Sequence, residues 1–165
     1  MRRRGLVTAA SVLALLGQFV LVDASPSLAA QESEERTWRL DAKNPRLEYG
    51  TDNPEDTPIA FTCDAGRGRV DVWINETGRG VKPRRSMTAT LAAGRTTSKV
   101  RGKTLPNEEA GTPSFEGTMP ANDPLFAALS KERTLVIVVG PSRDRVPLRD
   151  IGDKAERFSR LCQKP

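Results

Sequence analysis

The chain has 165 residues, with 26 Lys and Arg against 21 Asp and Glu, a formal net charge of +5, two cysteines and no histidine. The missing histidine excludes a Ser-His-Asp or Cys-His nucleophile, and a zinc site would have to be built from cysteines and carboxylates alone. A charge of this size aids solubility without arguing for nucleic acid, and no basic motif interleaved with aromatics of the RNA-binding kind is present.

The N-terminus reads as a targeting segment. Arg2, Arg3 and Arg4 form a positive region, residues 6–22 are apolar, and Ser27, Leu28 and Ala29 fit the small-x-small cleavage pattern. Residues 1–29 are therefore expected to be a signal peptide cleaved after Ala29, leaving 165 − 29 = 136 residues and no membrane span. Removing three arginines and Asp23 changes the charge to +5 − 3 + 1 = +3, so much of the apparent basicity belongs to the leader. No cysteine stands near the cleavage point to carry a lipid. The mature protein is expected to be periplasmic or secreted. Residues 30–36, polar and acidic, are expected to be a disordered lead-in, and residues 37–165 a single β-rich domain.

Residues 38–40 and 46–49 read as two short strands separated by turn signals at Asn44-Pro45 and closed by Asn53-Pro54. Ile59, Phe61 and Cys63 alternate on one face. Val70, Val72 and Ile74 alternate on the next run, and the Gly-rich stretch 64–68 joins the two as a hairpin. Trp73 falls on the face opposite the valines. Residues 75–85 are polar and Gly-rich, a crossing loop. Met87, Ala89 and Leu91 mark another strand, and residues 96–101 are its partner across Gly94. Residues 103–113, with two prolines, read as a loop. Residues 114–119 form a strand in which Gly117 signals a bulge or a close backbone approach.

Asp123 and Pro124 open a short helix whose face is Leu125, Phe126 and Leu129. Residues 134–139 are the most β-branched run of the mature chain and read as a core strand, stopped by Gly140 and Pro141. An edge strand over 143–148 follows. A closing helix then carries Ile151, Ala155, Phe158 and Cys162 at helical spacing. Many short strands without long crossover helices give a mainly β fold. The expectation is a small antiparallel β-sandwich or partly open barrel, with a short helix before the core strand and a C-terminal helix. One disulfide, Cys63–Cys162, closes it, because two cysteines in an exported chain pair with each other.

Candidates for chemistry are few. Gly66-Arg67-Gly68 and Gly78-Arg79-Gly80 resemble pieces of phosphate loops, but neither precedes a helix and the Lys-Ser/Thr ending is missing. Asn75-Glu76-Thr77 is a glycosylation sequon by pattern only. The carboxylates are scattered, and nothing activates a thiol. No catalytic residue, metal site or cofactor is expected. The basic groups Lys82, Arg84 and Arg85, together with Arg143, Arg145 and Arg149, would form an anion-binding patch if they share a face. The partner would then be an acidic protein or an anionic envelope component, and the protein a monomer.

The signal peptide, the early Trp38, the strand 59–63, the Asp123-Pro124-Leu125-Phe126 turn and helix, the strand 135–139 and the closing Phe158 and Cys162 together resemble small exported proteins of alphaproteobacteria. In its last third the chain resembles the invasion-associated locus B group of periplasmic β-sandwich proteins, a resemblance that implies a non-enzymatic envelope role. The strand carrying Cys63 is also similar to membrane-bound lysozyme inhibitors of the C type, small disulfide-closed barrels, although their inhibitory loop pattern is not found after Gly94. The leading expectation is a non-catalytic exported binding protein. The alternative is an inhibitor of a cell-wall hydrolase such as lysozyme, and a carboxylate-based hydrolase stands third.

Overall fold

A computed structural model describes residues 35–163; the expected signal peptide and most of the expected lead-in lie outside these residues. The strands are β1 (Thr37–Asp41), β2 (Arg46–Gly50), β3 (Ile59–Asp64), β4 (Arg69–Ile74), β5 (Ser86–Ala93), β6 (Thr96–Leu105), β7 (Ser114–Pro120), β8 (Thr134–Val139) and β9 (Ser142–Pro147). The helices are α1 (Leu125–Leu129) and α2 (Gly152–Cys162), and a 3-10 turn at Ala65–Arg67 with left-handed Gly68 joins β3 to β4. Among the described residues no helix is long and apolar enough to cross a membrane.

All nine strands pair antiparallel in one sheet, in the order β1-β2-β3-β4-β7-β6-β5-β8-β9, and the sheet curls into a half-barrel. This is the partly open barrel of the two expected architectures, with one sheet folded around its own core. The curl brings the two edges together: the indole Nε1 of Trp38 on β1 donates a 2.8 Å hydrogen bond to the Pro147 carbonyl on β9.

Period-2 patterning explains the curl's inner surface. Ile59, Phe61, Val70, Val72, Leu91, Val100, Phe115, Leu135, Ile137 and Val139 all face inward and are almost fully buried, while their sequence neighbours face out. The apolar run of β8 obeys the same alternation. Val136 and Val138 lie on the outer face and are only half-buried, one strand in from the sheet edge. The strand expected over 96–101 continues to Leu105, so residues 103–105 are sheet, not loop. Alternation carries on with Lys103 exposed and Thr104 buried, and the Thr104 hydroxyl donates to the Lys82 carbonyl at 2.7 Å.

Gly102 and Gly117 face each other across β6 and β7. A Cβ on Gly117 would stand 2.7 Å from the Arg101 carbonyl oxygen, and one on Gly102 would stand 2.1 Å from that of Glu116. The close backbone approach expected at Gly117 is thus a glycine pair, with the ring of Phe115 against both.

The helices fill the concave side. Asp123 Oδ1 accepts the Leu125 amide at 2.9 Å and also the Ser98 hydroxyl, which fixes the start of α1 on β6. Phe126 of α1 lies between Phe61 of β3 and Phe158 of α2, with ring centroids 5.6 and 5.5 Å away. Burying a ring of this size contributes about 2–3 kcal/mol. Ala155, Phe158 and Cys162 form the buried stripe of α2, and the Cys63–Cys162 disulfide ties its last turn to β3 with the α-carbons 5.5 Å apart.

Candidate functional site

Charge is distributed unequally over the outer surface of the sheet. Both arginines of β1 and β2, Arg39 and Arg46, are paired, and so is Arg36 just before β1. Arg46 and Arg39 both donate to Glu48, at 2.6 and 3.0 Å, and Arg36 donates to Asp56 at 3.0 Å. Burial pushes the Glu48 carboxyl up, but the hydrogen bonds from Arg46 and Arg39 outweigh it and hold the group below the ordinary glutamate range. Asp56 is likewise held low by its hydrogen bond from Arg36. This side of the half-barrel is neutralised from within.

The opposite side is not. Registers β6–β5, β5–β8 and β8–β9 align two cross-strand rows. One runs Lys99, Thr90, Val138, Arg143, and the next runs Thr97, Ala92, Val136, Arg145. Arg101 stands beside Lys99 on β6, opposite Thr88 on β5 and Thr118 on β7. Lys99, Arg101, Arg143 and Arg145 are exposed. Among the described residues none of them has a carboxylate oxygen within 4.0 Å. Three strand spacings separate the two basic edges, roughly 14 Å. Between them lies a shallow floor of threonine, alanine and valine, and Lys131 and Arg133 line one end of it. Glu132 is the one carboxylate among the residues lining that depression.

The six basic residues singled out from the sequence fall in three places. Arg143 and Arg145 lie on the outer face of β9, on one rim of this floor. Lys82, Arg84 and Arg85 precede β5 and are anchored on Thr104: the Arg84 amide donates to its carbonyl at 2.8 Å and the Arg85 amide to its hydroxyl at 3.0 Å. Arg149 follows β9 and is ion-paired with Glu35. Lys99 and Arg101, the opposite rim, were missed by sequence reasoning. Their signal was the basic residue at every second position from Lys99 to Lys103.

Among the described residues no group of three Asp, Glu or Cys side chains is placed to hold a metal ion, and both cysteines are cross-linked. A pocket of about 280 Å³ lies where the two sheet edges approach, but it is lined by the Arg36 and Asp56 pair that neutralises itself. No protein-family model, curated protein or solved structure matches the chain.

Proposed function

We propose that this is a non-catalytic binding protein, exported to the periplasm or beyond, whose outer face over β6, β5, β8 and β9 holds a polyanionic component of the cell envelope. The supporting observation is the two-rimmed arrangement of Lys99 and Arg101 against Arg143 and Arg145, with no carboxylate pairing them among the described residues. Two rims roughly 14 Å apart suit a ligand with several separated charges better than a single small anion. The floor of threonine hydroxyls adds neutral donors, and arginine forks suit phosphate oxygens. The resemblance to the locus B group of envelope proteins points the same way.

The test is binding of the purified mature chain to lipopolysaccharide micelles, as the polyphosphorylated probe, across a salt series. Each cation near an anionic surface contributes about 1 kcal/mol. The pair Arg143→Ser and Arg145→Ser is therefore expected to weaken binding about thirtyfold, and salt is expected to weaken the wild type, because screening acts within about 10 Å at 0.1 M. Salt-independent binding, or an unchanged affinity when Lys99, Arg101, Arg143 and Arg145 are all replaced by serine, refutes the proposal. Capture of an acidic protein in preference to the micelles would also refute it.

A further inference from the structure

A second pocket, of about 370 Å³, opens on the outer face of the sheet over Trp73, and its chemistry is opposite to that of the basic rims. Trp73 belongs to β4 and faces outward, between Ala60 of β3 and Glu116 of β7. Ala60 is fully buried although it lies on the outer side of the sheet. The small residue lets the indole lie beside it without a competing side chain, and Trp73 keeps part of its surface open to solvent. The part-exposed indole of Trp73 contrasts with Trp38, which is buried almost completely.

The walls are tied in place by hydrogen bonds. The Asn75 amide donates to the Glu55 carbonyl at 3.0 Å, the Asn75 backbone donates to the Pro58 carbonyl at 3.0 Å, and Asn107 donates to the Asn75 carbonyl and side-chain oxygen at 3.2 and 3.1 Å. Asn107 Oδ1 in turn accepts the Ala110 amide. Three loops are thus fixed around the indole before any ligand arrives, which lowers the entropy cost of binding. The charged residues that line the space are Glu55, Glu76, Glu109 and Arg46. Among the described residues none of the three carboxylates is in an ion pair, while Arg46 already serves Glu48. The size is at the lower end of small-molecule sites.

We propose that this pocket is a carbohydrate-binding site that stacks one ring of a neutral or amino sugar on Trp73. A pyranose has an apolar C–H face that fits an indole and a rim of hydroxyls that donate to carboxylates. A ring hydroxyl can also accept from an Arg46 N–H not already given to Glu48 or Thr62. The negative charge of the three carboxylates selects against uronic acids and sugar phosphates and in favour of uncharged or amino-bearing rings. The inference stands on its own residues and does not depend on the basic face.

The test follows the two indole N–H resonances of the isotope-labelled mature chain by NMR. Titration with N-acetylglucosamine, its short oligomers, glucosamine and glucuronate at millimolar concentrations is expected to shift the Trp73 signal with the neutral and amino sugars, to leave glucuronate without effect, and to spare buried Trp38. Trp73→Ala is expected to weaken sugar binding at least tenfold while lipopolysaccharide binding is kept. Glu55→Gln with Glu76→Gln serves as the second variant should Trp73→Ala unfold, and it is expected to relax the exclusion of glucuronate. No shift with any sugar, or equal binding of glucuronate and glucosamine, overturns the proposal. A shift produced by a lysine-rich peptide but by no sugar overturns it as well and assigns the pocket to cationic side chains.

Discussion

The cross-link between Cys63 and Cys162 offers the sharpest test of how the fold is held. It spans 99 residues of sequence and encloses every strand and both helices from β4 to α2. In the chain-entropy treatment, closing a loop of about 100 residues in the unfolded state is worth about 4.7 kcal/mol. Domains of this size are stable by only about 5–15 kcal/mol, so reduction is expected to remove a third or more of the total. The assay is urea unfolding of the oxidised and of the reduced, alkylation-trapped protein. The reduced form is expected to unfold at lower urea with a steeper dependence, because its denatured chain expands and exposes more surface. Cys63→Ala is expected to cost nearly as much as the double substitution, since either change alone abolishes the bond. A loss below about 1 kcal/mol with an unchanged slope would refute the entropic argument. Free thiols at both positions in protein purified without reductant would refute the pairing itself.

Two further outcomes follow from local geometry and charge. Gly117→Ala places a methyl 2.7 Å from the Arg101 carbonyl oxygen, a backbone atom that cannot swing away, so it is expected to destabilise by about 1–3 kcal/mol in urea unfolding; an unchanged midpoint would mean that β6 and β7 can separate freely. With no histidine, no side chain of ordinary pKa titrates between about pH 5 and 8, and the thermal midpoint is expected to be flat there. Asp56 and Glu48 have folded pKa values below their unfolded ones. Their contribution is therefore complete above the unfolded values of about 3.9 and 4.3 and is lost as pH falls through the folded values. The midpoint measured by circular dichroism should drop below about pH 4, and less steeply in Arg36→Ala. A midpoint that rises on acidification would contradict the pairing.

The strands were legible because alternation is local. Ile59 with Phe61, and Val70 with Val72 and Ile74, reveal their inner face within six residues. The end of β6 was not legible, because Lys103, Thr104 and Leu105 stand just before a stretch rich in proline and glycine, and only their pairing with β5 and β7 keeps them extended. The same distinction governs the sites. Arg143 and Arg145 could be found as a pair two apart on one strand. That Lys99 faces them across two strands depends on β5 pairing with both β6 and β8, and no short-range pattern encodes that. Trp73 could be assigned to the outer face by parity, yet Asn107, which helps wall it, comes from a loop 32 residues beyond its partner Asn75.

The meeting of Trp38 with Pro147 also bears on when the molecule can take shape. Those residues are 109 apart, and the cysteines nearly as far. Joining ends so distant costs roughly 4 kcal/mol of chain entropy before any contact repays it, and topologies built on such pairings are slow to assemble. The first two strands cannot find their lasting place against the last until nearly all of the chain is present. Hairpins such as β3–β4 and β5–β6 join neighbours in sequence and can form early, but the half-barrel itself closes only once β9 is present to meet β1.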